Sequence, residues 1–506
     1  MQTPHPSCDP VAWEFILSKF RPSAFPVAVP VKPNPRVAST FANPAFAQAP
    51  AQIQAPGPQA PSVAQEYNPF RRIALLIGCL YILILFSFLN EILIIRFGIT
   101  VYLPIVIGVP TVLAYFFTGG LVRTLSFRPV QFYLCFALCL LASAALSSWP
   151  GGSYPVLSGF FRTQWIPMFL LTGLVYTWKD YRTAIVAVTL GGLINILTAQ
   201  YMSSEDSTGR LELDIVTLGN SNDLAAQLLM IIPLFWAITG FNTIPKVFRW
   251  TMYAAIGASL IVVLRTGSRG ALLALIFGYL FSILRASGKK RFAVAILAPI
   301  LAFSLLIFIP GVVADRLATL FSEKDANSEA AQSGAGRKEI LYKAIGISFQ
   351  KPLFGVGPGQ FGNFEGAQSK ALGKQAHWNV PHNSYVQVAS EVGYPALFFM
   401  LGSLLLGFKI AFNVQNEARR RGHKELEHVA FTVMASMLCF SVAAFFLTLS
   451  FRFYFPFLVG LSASLGAVAR HEFNRLAKLS VPALPRIPHF PYSAGLLPRT
   501  SANRVS

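Results

Sequence analysis

The sequence predicts an all-α, polytopic membrane protein of about twelve transmembrane helices. Three observations predict it: the composition, the recurrence of long apolar runs, and the sidedness of the charge. Of 506 residues, 54% are hydrophobic and only 12% charged, where soluble domains carry roughly 25% charged residues. A water-facing surface cannot be built from half the usual charge, so most of the chain must face lipid or other lipid-embedded protein.

The elements follow in order. Residues 1–70 are rich in Pro, Ala and Gln, a composition that favours solvated, extended backbone over a packed core, and are expected to form a disordered cytoplasmic tail. They hold no apolar stretch of signal-peptide length, so the N-terminus is expected to be retained. Apolar runs long enough to cross a ~30 Å hydrocarbon core then lie at 73–95, 99–118, 130–148, 160–178, 183–201, 222–240, 248–264, 270–286 and 291–310. Pro104, Pro110 and Pro167 interrupt the second and fourth. These nine spans make up a first membrane segment, 71–310. A second, 383–470, holds spans 383–411, 429–449 and 453–470. Between the two segments, 311–382 forms one large polar loop, the segment with room for a lid or small subdomain. Within it, ADRLATLFSE and SGAGRKEILYKAIGISFQKP have amphipathic helical spacing. Residues 471–506 form a second cytoplasmic tail.

Charge tests the count. The net +20 would suggest nucleic acid in a soluble chain, but Lys and Arg in a membrane protein accumulate on the cytoplasmic side. With the N-terminus inside, the cytoplasmic segments hold 27 Lys+Arg against 8 Asp+Glu, and the exported side 14 against 13. Both termini are therefore cytoplasmic, the 311–382 loop is exported, and no nucleic-acid partner is expected. The five cysteines show neither metal-ligand spacing nor a disulfide framework. No metal and no cofactor is expected.

The candidate chemistry lies on the exported side. Arg265 and Arg269 flank the tight turn Thr266-Gly267-Ser268 between the seventh and eighth spans. Snorkelling to the interface explains two arginines there. Four residues apart beside a helix start, they also make a diphosphate cradle. Arg337 begins an expected helix that ends at Lys351-Pro352, where a solvated surface role is the ordinary reading. His382, in Pro381-His382-Asn383-Ser384-Tyr385, sits where the loop re-enters the membrane, with Asn383 or Ser384 as helix cap. A neutral imidazole there can accept a proton from an attacking hydroxyl, and Glu391 could support a polar face beyond it. His377 is a weaker rival. Gly355-Val356-Gly357-Pro358-Gly359 lacks the Gly-Lys-Ser/Thr ending of a phosphate-binding loop and reads as a turn. The acidic stretch 205–223 matches no calcium loop and reads as solvated. Arg162, Arg210 and Arg452 are further exported cations.

Together, Thr266-Gly267-Ser268-Arg269-Gly270-Ala271, Gly336-Arg337 with Tyr342-Lys343-Ala344, Pro352-Leu353-Phe354-Gly355-Val356-Gly357, Pro381-His382-Asn383-Ser384-Tyr385 with Glu391-Val392-Gly393, and Gly219-Asn220-Ser221-Asn222-Asp223 resemble the O-antigen ligase and O-antigen or exopolysaccharide polymerase superfamily over roughly 70–470. The resemblance implies a GT-C-type membrane glycosyltransferase in the bacterial inner membrane. It implies transfer of a glycan from an undecaprenyl diphosphate carrier to an acceptor at the periplasmic face, either lipid A core sugar or another carrier-linked glycan, for lipopolysaccharide or other surface polysaccharide of the cell envelope. Residue by residue, Arg269 matches the arginine of the Ser-Arg-Gly motif, Arg337 the loop arginine and His382 the histidine before Asn-Ser-Tyr; Arg265 is adjacent. The implied chemistry is metal-independent and inverting, with the arginines on the diphosphate and His382 on the acceptor hydroxyl. A polysaccharide or lipid-carrier flippase or other transporter would also have twelve spans, but transporters place ionisable residues near the midplane. A scaffold for envelope polysaccharide assembly proteins, docked through the Pro-rich tail, is the third reading.

Overall fold

The computed structural model describes residues 69–480, apart from 207, 208, 216, 219, 287–290, 293, 297, 298, 374–378 and most of 301–328. Both tails up to 68 and from 481, most of the expected ninth span, the ADRLATLFSE segment and His377 lie outside the described residues.

Seven of the described helices are long and apolar enough to cross a membrane. They are α1 (Pro69–Ser87), α5 (Arg128–Ala145), α8 (Trp178–Tyr201), α9 (Ser221–Thr239), α10 (Lys246–Arg265), α15 (Tyr394–Arg420) and α16 (Lys424–Ala443). Between α1 and α5 lie α2 (Leu89–Phe97), α3 (Leu103–Phe117) and α4 (Gly120–Leu125). The expected second span is thus a 15-residue helix, α3, with Pro104 in its first turn and Pro110 inside it. The expected fourth span, 160–178, is not one helix. It follows α6 (Pro150–Gly159) and holds a π-helical turn at Phe160–Gln164 and α7 (Ile166–Leu174); Pro167 opens α7, where its missing N–H costs nothing. The eighth is α11 (Arg269–Arg285). The last, α17, runs Tyr454–Ser480, ten residues past the expected end. The chain is an all-α polytopic membrane protein, with a single small hairpin, β1 (Ser203–Glu205) against β2 (Leu211–Leu213), among the described residues.

The core forms around α9. Its window is 83% buried, the most of the seven, because its apolar residues run all round the helix and it can be satisfied only by neighbours on every side. It packs against α8, α10, α11 and α16. Basic residues close one end of the bundle: Arg71 bonds Asp180 at 2.8 Å and Arg182 meets Glu425 at 3.3 Å. Arg123 stacks on Tyr176 at 3.8 Å, and Arg419 bonds Glu427 at 2.7 Å.

Three further helices come from the large loop and the re-entry. They are α12 (Glu329–Gln350), α13 (Phe361–Ala371) and α14 (Ser384–Glu391). Ala344, Ile347, Val356 and Phe361 bury together in a small core of their own, and Lys343 ties α12 to α13 through Glu365 at 2.8 Å. The expected tenth span, 383–411, breaks at Gly393, whose φ of 98° is open to glycine and strained for other residues. The helix stops as α14 and restarts in a new direction as α15.

Candidate functional site

The segment joining α16 to α17, a 3-10 turn at Ala444–Phe446 and an irregular stretch to Phe453, gathers the residues singled out by the sequence. A Cβ on Gly270 would lie 2.8 Å from the Phe446 side chain, so the start of α11, headed by Arg269, rests directly on that turn. The His382 amide donates to Thr448 Oγ1 at 3.0 Å. Ser384 Oγ donates to the Leu447 carbonyl at 2.7 Å and accepts from the Leu449 amide at 3.0 Å, while Ser450 Oγ donates to the Ser384 carbonyl at 2.6 Å. These bonds fix α14 to the turn. From the other side α12 packs on α14 and brings the positive charge of Arg337 within electrostatic reach of His382. Arg269 and His382 thus sit on one turn, and the Arg337 charge is felt at His382.

The local sequence explains the placement of His382. Asn383 is the N-cap of α14: its Oδ1 accepts from the amides of Tyr385 and Val386, both at 3.0 Å, supplying partners the first turn of a helix lacks. With the cap set, the chain enters through His382 at φ 50°, a left-handed conformation that costs a non-glycine residue about 1–2 kcal/mol. Such strain persists where surrounding bonds over-determine it, and it clusters at functional positions. Burial first, and then Arg337, push the His382 imidazole down to about 4, so it is neutral throughout the physiological range.

The Arg265–Arg269 turn is built as expected but used differently at its two ends. Gly267, at φ 61°, turns the chain, and Ser268 Oγ caps α11 by accepting from the Ala271 amide at 3.3 Å. Arg265 reaches the hairpin, where it pairs with Glu205 at 3.1 Å. Arg210, a background cation in the sequence, is 9% exposed; its Nε donates to the Thr266 carbonyl at 2.8 Å and its guanidinium to Asn222 Oδ1 at 3.2 Å. It clamps the turn that carries Arg269. The acidic stretch is correspondingly engaged rather than merely solvated: Asp206 accepts the Arg210 amide at 3.0 Å and Glu212 the Ser221 hydroxyl at 3.1 Å.

Arg337 does not begin its helix. It lies inside α12, which starts eight residues earlier at Glu329, since Gly334 and Gly336 are carried through the helix rather than starting it. Gly355 to Gly359 is a turn, as expected, but its partner was not legible. It wraps the end of α14, with the Val356 amide on the Ser390 carbonyl at 3.0 Å and Gly357 on Glu391 at 2.9 Å. The Glu391 side chain also points into this turn: its Oε2 accepts from the Gly359 amide at 2.9 Å and from Gln387 Nε2 at 3.2 Å. Burial pushes its carboxyl up to about 7 against these donors. Glu391 therefore organises the loop and does not contact His382.

This packing has a direct test. A Cβ on Gly355, at φ 63°, would fall 2.2 Å from the Glu391 carbonyl carbon, backbone that cannot give way. Gly355→Ala is expected to cost about 2 kcal/mol or more, combining overpacking with left-handed strain, seen as a lowered thermal midpoint in detergent. Gly346→Ala, with nothing within 4 Å of the new methyl, is the neutral control on the neighbouring helix.

Thr448 and Phe446 were missed, and the clamping role of Arg210 was not legible, because each acts through a partner far along the chain. Among the described residues no group of three or more His, Cys, Asp or Glu could hold a metal ion. No curated protein matches the chain. The family model for O-antigen ligase matches residues 254–401, a span that starts within α10, ends within α15, and includes Arg265, Arg269, Arg337 and His382. Residues 254–401 thus match the O-antigen ligase family, the one the sequence motifs resemble, within a multi-pass membrane protein.

Proposed function

We propose that the protein is a membrane glycosyltransferase that moves a glycan from an undecaprenyl diphosphate carrier to an acceptor sugar at the periplasmic face of the bacterial inner membrane. The acceptor is either lipid A core sugar or another carrier-linked glycan. The observation that carries this reading is that the start of α11, with Arg269, and His382 both rest on the turn after α16, while the Arg337 charge reaches His382. Two guanidinium groups beside a neutral imidazole suit a leaving diphosphate and an attacking hydroxyl.

In the step we infer, the acceptor oxygen attacks the anomeric carbon in line while the bond from that carbon to the diphosphate oxygen breaks. The leaving diphosphate takes the electron pair, and the hydroxyl proton passes to the His382 imidazole. The anomeric configuration inverts. Arg269 and Arg337 stabilise the charge growing on the diphosphate, an effect that is large where donors are preorganised and water is excluded. They supply in side chains the positive charge that a metal ion would otherwise provide, so transfer proceeds without one. Arg265, committed to Glu205, supports the same end of the fold as an auxiliary cation.

Reconstitution into vesicles with undecaprenyl diphosphate-linked oligosaccharide, with lipid A core or carrier-linked glycan as acceptor, tests the reading. The expected result is glycan transfer with release of free undecaprenyl diphosphate. Carrier translocation without transfer would make the protein a flippase, and neither activity would leave it a scaffold.

A further inference from the structure

A polar cavity lies at the end of the same α16–α17 segment. It has a volume of about 160 Å³ and is lined by side chains that include Asn90, Glu91, Thr163, Gln164 and Arg452, with Tyr102 among its aromatic walls. Three breaks in helical regularity build it. Phe88, at φ 51°, interrupts α1 and α2; the π-helical turn supplies Thr163 and Gln164; and the stretch before α17 supplies Arg452 and Phe453, whose amide donates to Gln164 Oε1 at 2.9 Å. Irregular backbone at membrane depth is tolerated where it lines a cavity, and π-helical turns are frequent at functional sites.

The chemistry of the lining is specific. Asn90 is only 8% exposed; its oxygen accepts the Leu103 amide at 2.9 Å, and its side-chain nitrogen has no partner among the described residues. The Arg452 guanidinium likewise makes no hydrogen bond or ion pair among the described residues. Opposite these donors, the Glu91 carboxylate accepts from the amide and hydroxyl of Thr217 and keeps lone pairs to spare. An anion would gain from Arg452 and Asn90 but be repelled by Glu91. A sugar hydroxyl, which donates and accepts at once, satisfies all three, and an exposed aromatic face such as Tyr102 suits the apolar side of a pyranose ring. The cavity has room for one ring.

We propose that this cavity binds one hexose unit of the substrate glycan. The inference rests on the glycan-transfer reading and extends it, because Thr448, which holds His382, and Arg452 stand on the same short segment. The sugar would be held beside the reacting end rather than at the diphosphate.

Saturation-transfer NMR on the full-length protein in detergent, with methyl glucoside, galactoside and mannoside as probes, reads the site without requiring turnover. At least one hexoside is expected to bind, and Arg452→Leu and Asn90→Leu to weaken it about tenfold, the size of one lost hydrogen bond to a charged or buried group. Arg337→Ala should leave it unchanged. Arg452→Leu removes no hydrogen bond or ion pair among the described residues but does remove a charge felt by the buried Asp223, so an unchanged thermal midpoint in detergent is the required control. No hexoside binding, equal binding in both cavity variants, loss only in Arg337→Ala, or displacement by inorganic phosphate would each overturn the proposal. In the transfer assay, Arg452→Leu should raise KM about tenfold for one substrate: for the acceptor if the ring belongs to it, for the donor if the ring is the carrier-linked sugar. Unchanged KM for both, with wild-type transfer intact, would sink the hexose site alone; hexoside binding without any transfer would sink the transfer reading alone.

Discussion

Arg337→Ala is expected to lower kcat by about 10²–10³-fold, the usual effect of removing one preorganised donor from developing negative charge, while the protein remains folded. The separation of the two effects follows from where Arg337 stands. What holds α12 in place is its C-terminal half, where Ala344 and Ile347, two turns or more beyond Arg337, bury against Val356 and Phe361, and Lys343, whose ammonium is held above its ordinary range by its bonds to Glu365 and Glu339. Removing a half-buried guanidinium from the opposite stretch of the helix leaves that core intact. Arg337→Lys should recover part of the rate, because an ammonium restores the charge but not the planar fork that meets two phosphate oxygens at once. A loss seen only as a raised KM, with kcat unchanged on a purified carrier-linked donor, would mean that Arg337 binds the ground state as strongly as the transition state and would remove it from the chemical step.

A residue is legible in sequence where chemistry alone makes it conspicuous, and poorly legible where geometry decides. Arg269 and His382 stood out because charged or titratable groups at the edge of apolar runs need a reason. Asn383 as the cap was legible from its place before a helix. The spans were read from apolar composition, which does not change when a helix bends. That is why the π-helical turn at Phe160–Gln164 and the break at Gly393 were both absorbed into continuous spans. Partners were the least legible part. Nothing local indicates that Arg265 meets Glu205, 60 residues earlier, or that His382 is held by Thr448, 66 residues later. Only the hairpin, whose buried Leu211 and Leu213 anchor it over the turn, shows that Arg265 turns to Glu205 while Arg269 heads the helix that rests on Phe446.

His382 gives the sharpest test because its strain, its charge state and its proposed role make separate demands. In the free protein, burial and Arg337 hold the imidazole near 4, which keeps it neutral but weakly basic. A bound diphosphate would offset the Arg337 charge, which favours the protonated form and raises the pKa. The acid limb of kcat/KM, which reports the free enzyme, is therefore expected near 4, and the limb of kcat, which reports the bound complex, at higher pH. In Arg337→Ala the free-enzyme limb should move up toward the ordinary histidine range without reaching it, since burial, the larger cause, remains. The same depressed value makes a stability statement. Between the ordinary pKa of 6.5 and about 4 the unfolded chain binds the proton and the folded chain does not, so the His382 contribution is fully present above 6.5 and is lost as pH falls through that window. Replacement by glycine divides the roles. His382→Gly relieves the left-handed strain and removes that titration, so the thermal midpoint should rise, by the equivalent of about 1 kcal/mol, and lose the His382 share of its dependence on pH in that window. If the imidazole takes the acceptor proton, the same variant should lose about 10²–10⁴-fold in kcat. A protein made more stable and nearly inactive by one substitution would identify His382 as strain retained for chemistry, whereas near-normal turnover in His382→Gly would show that the left-handed turn, and not the imidazole, is what the site requires.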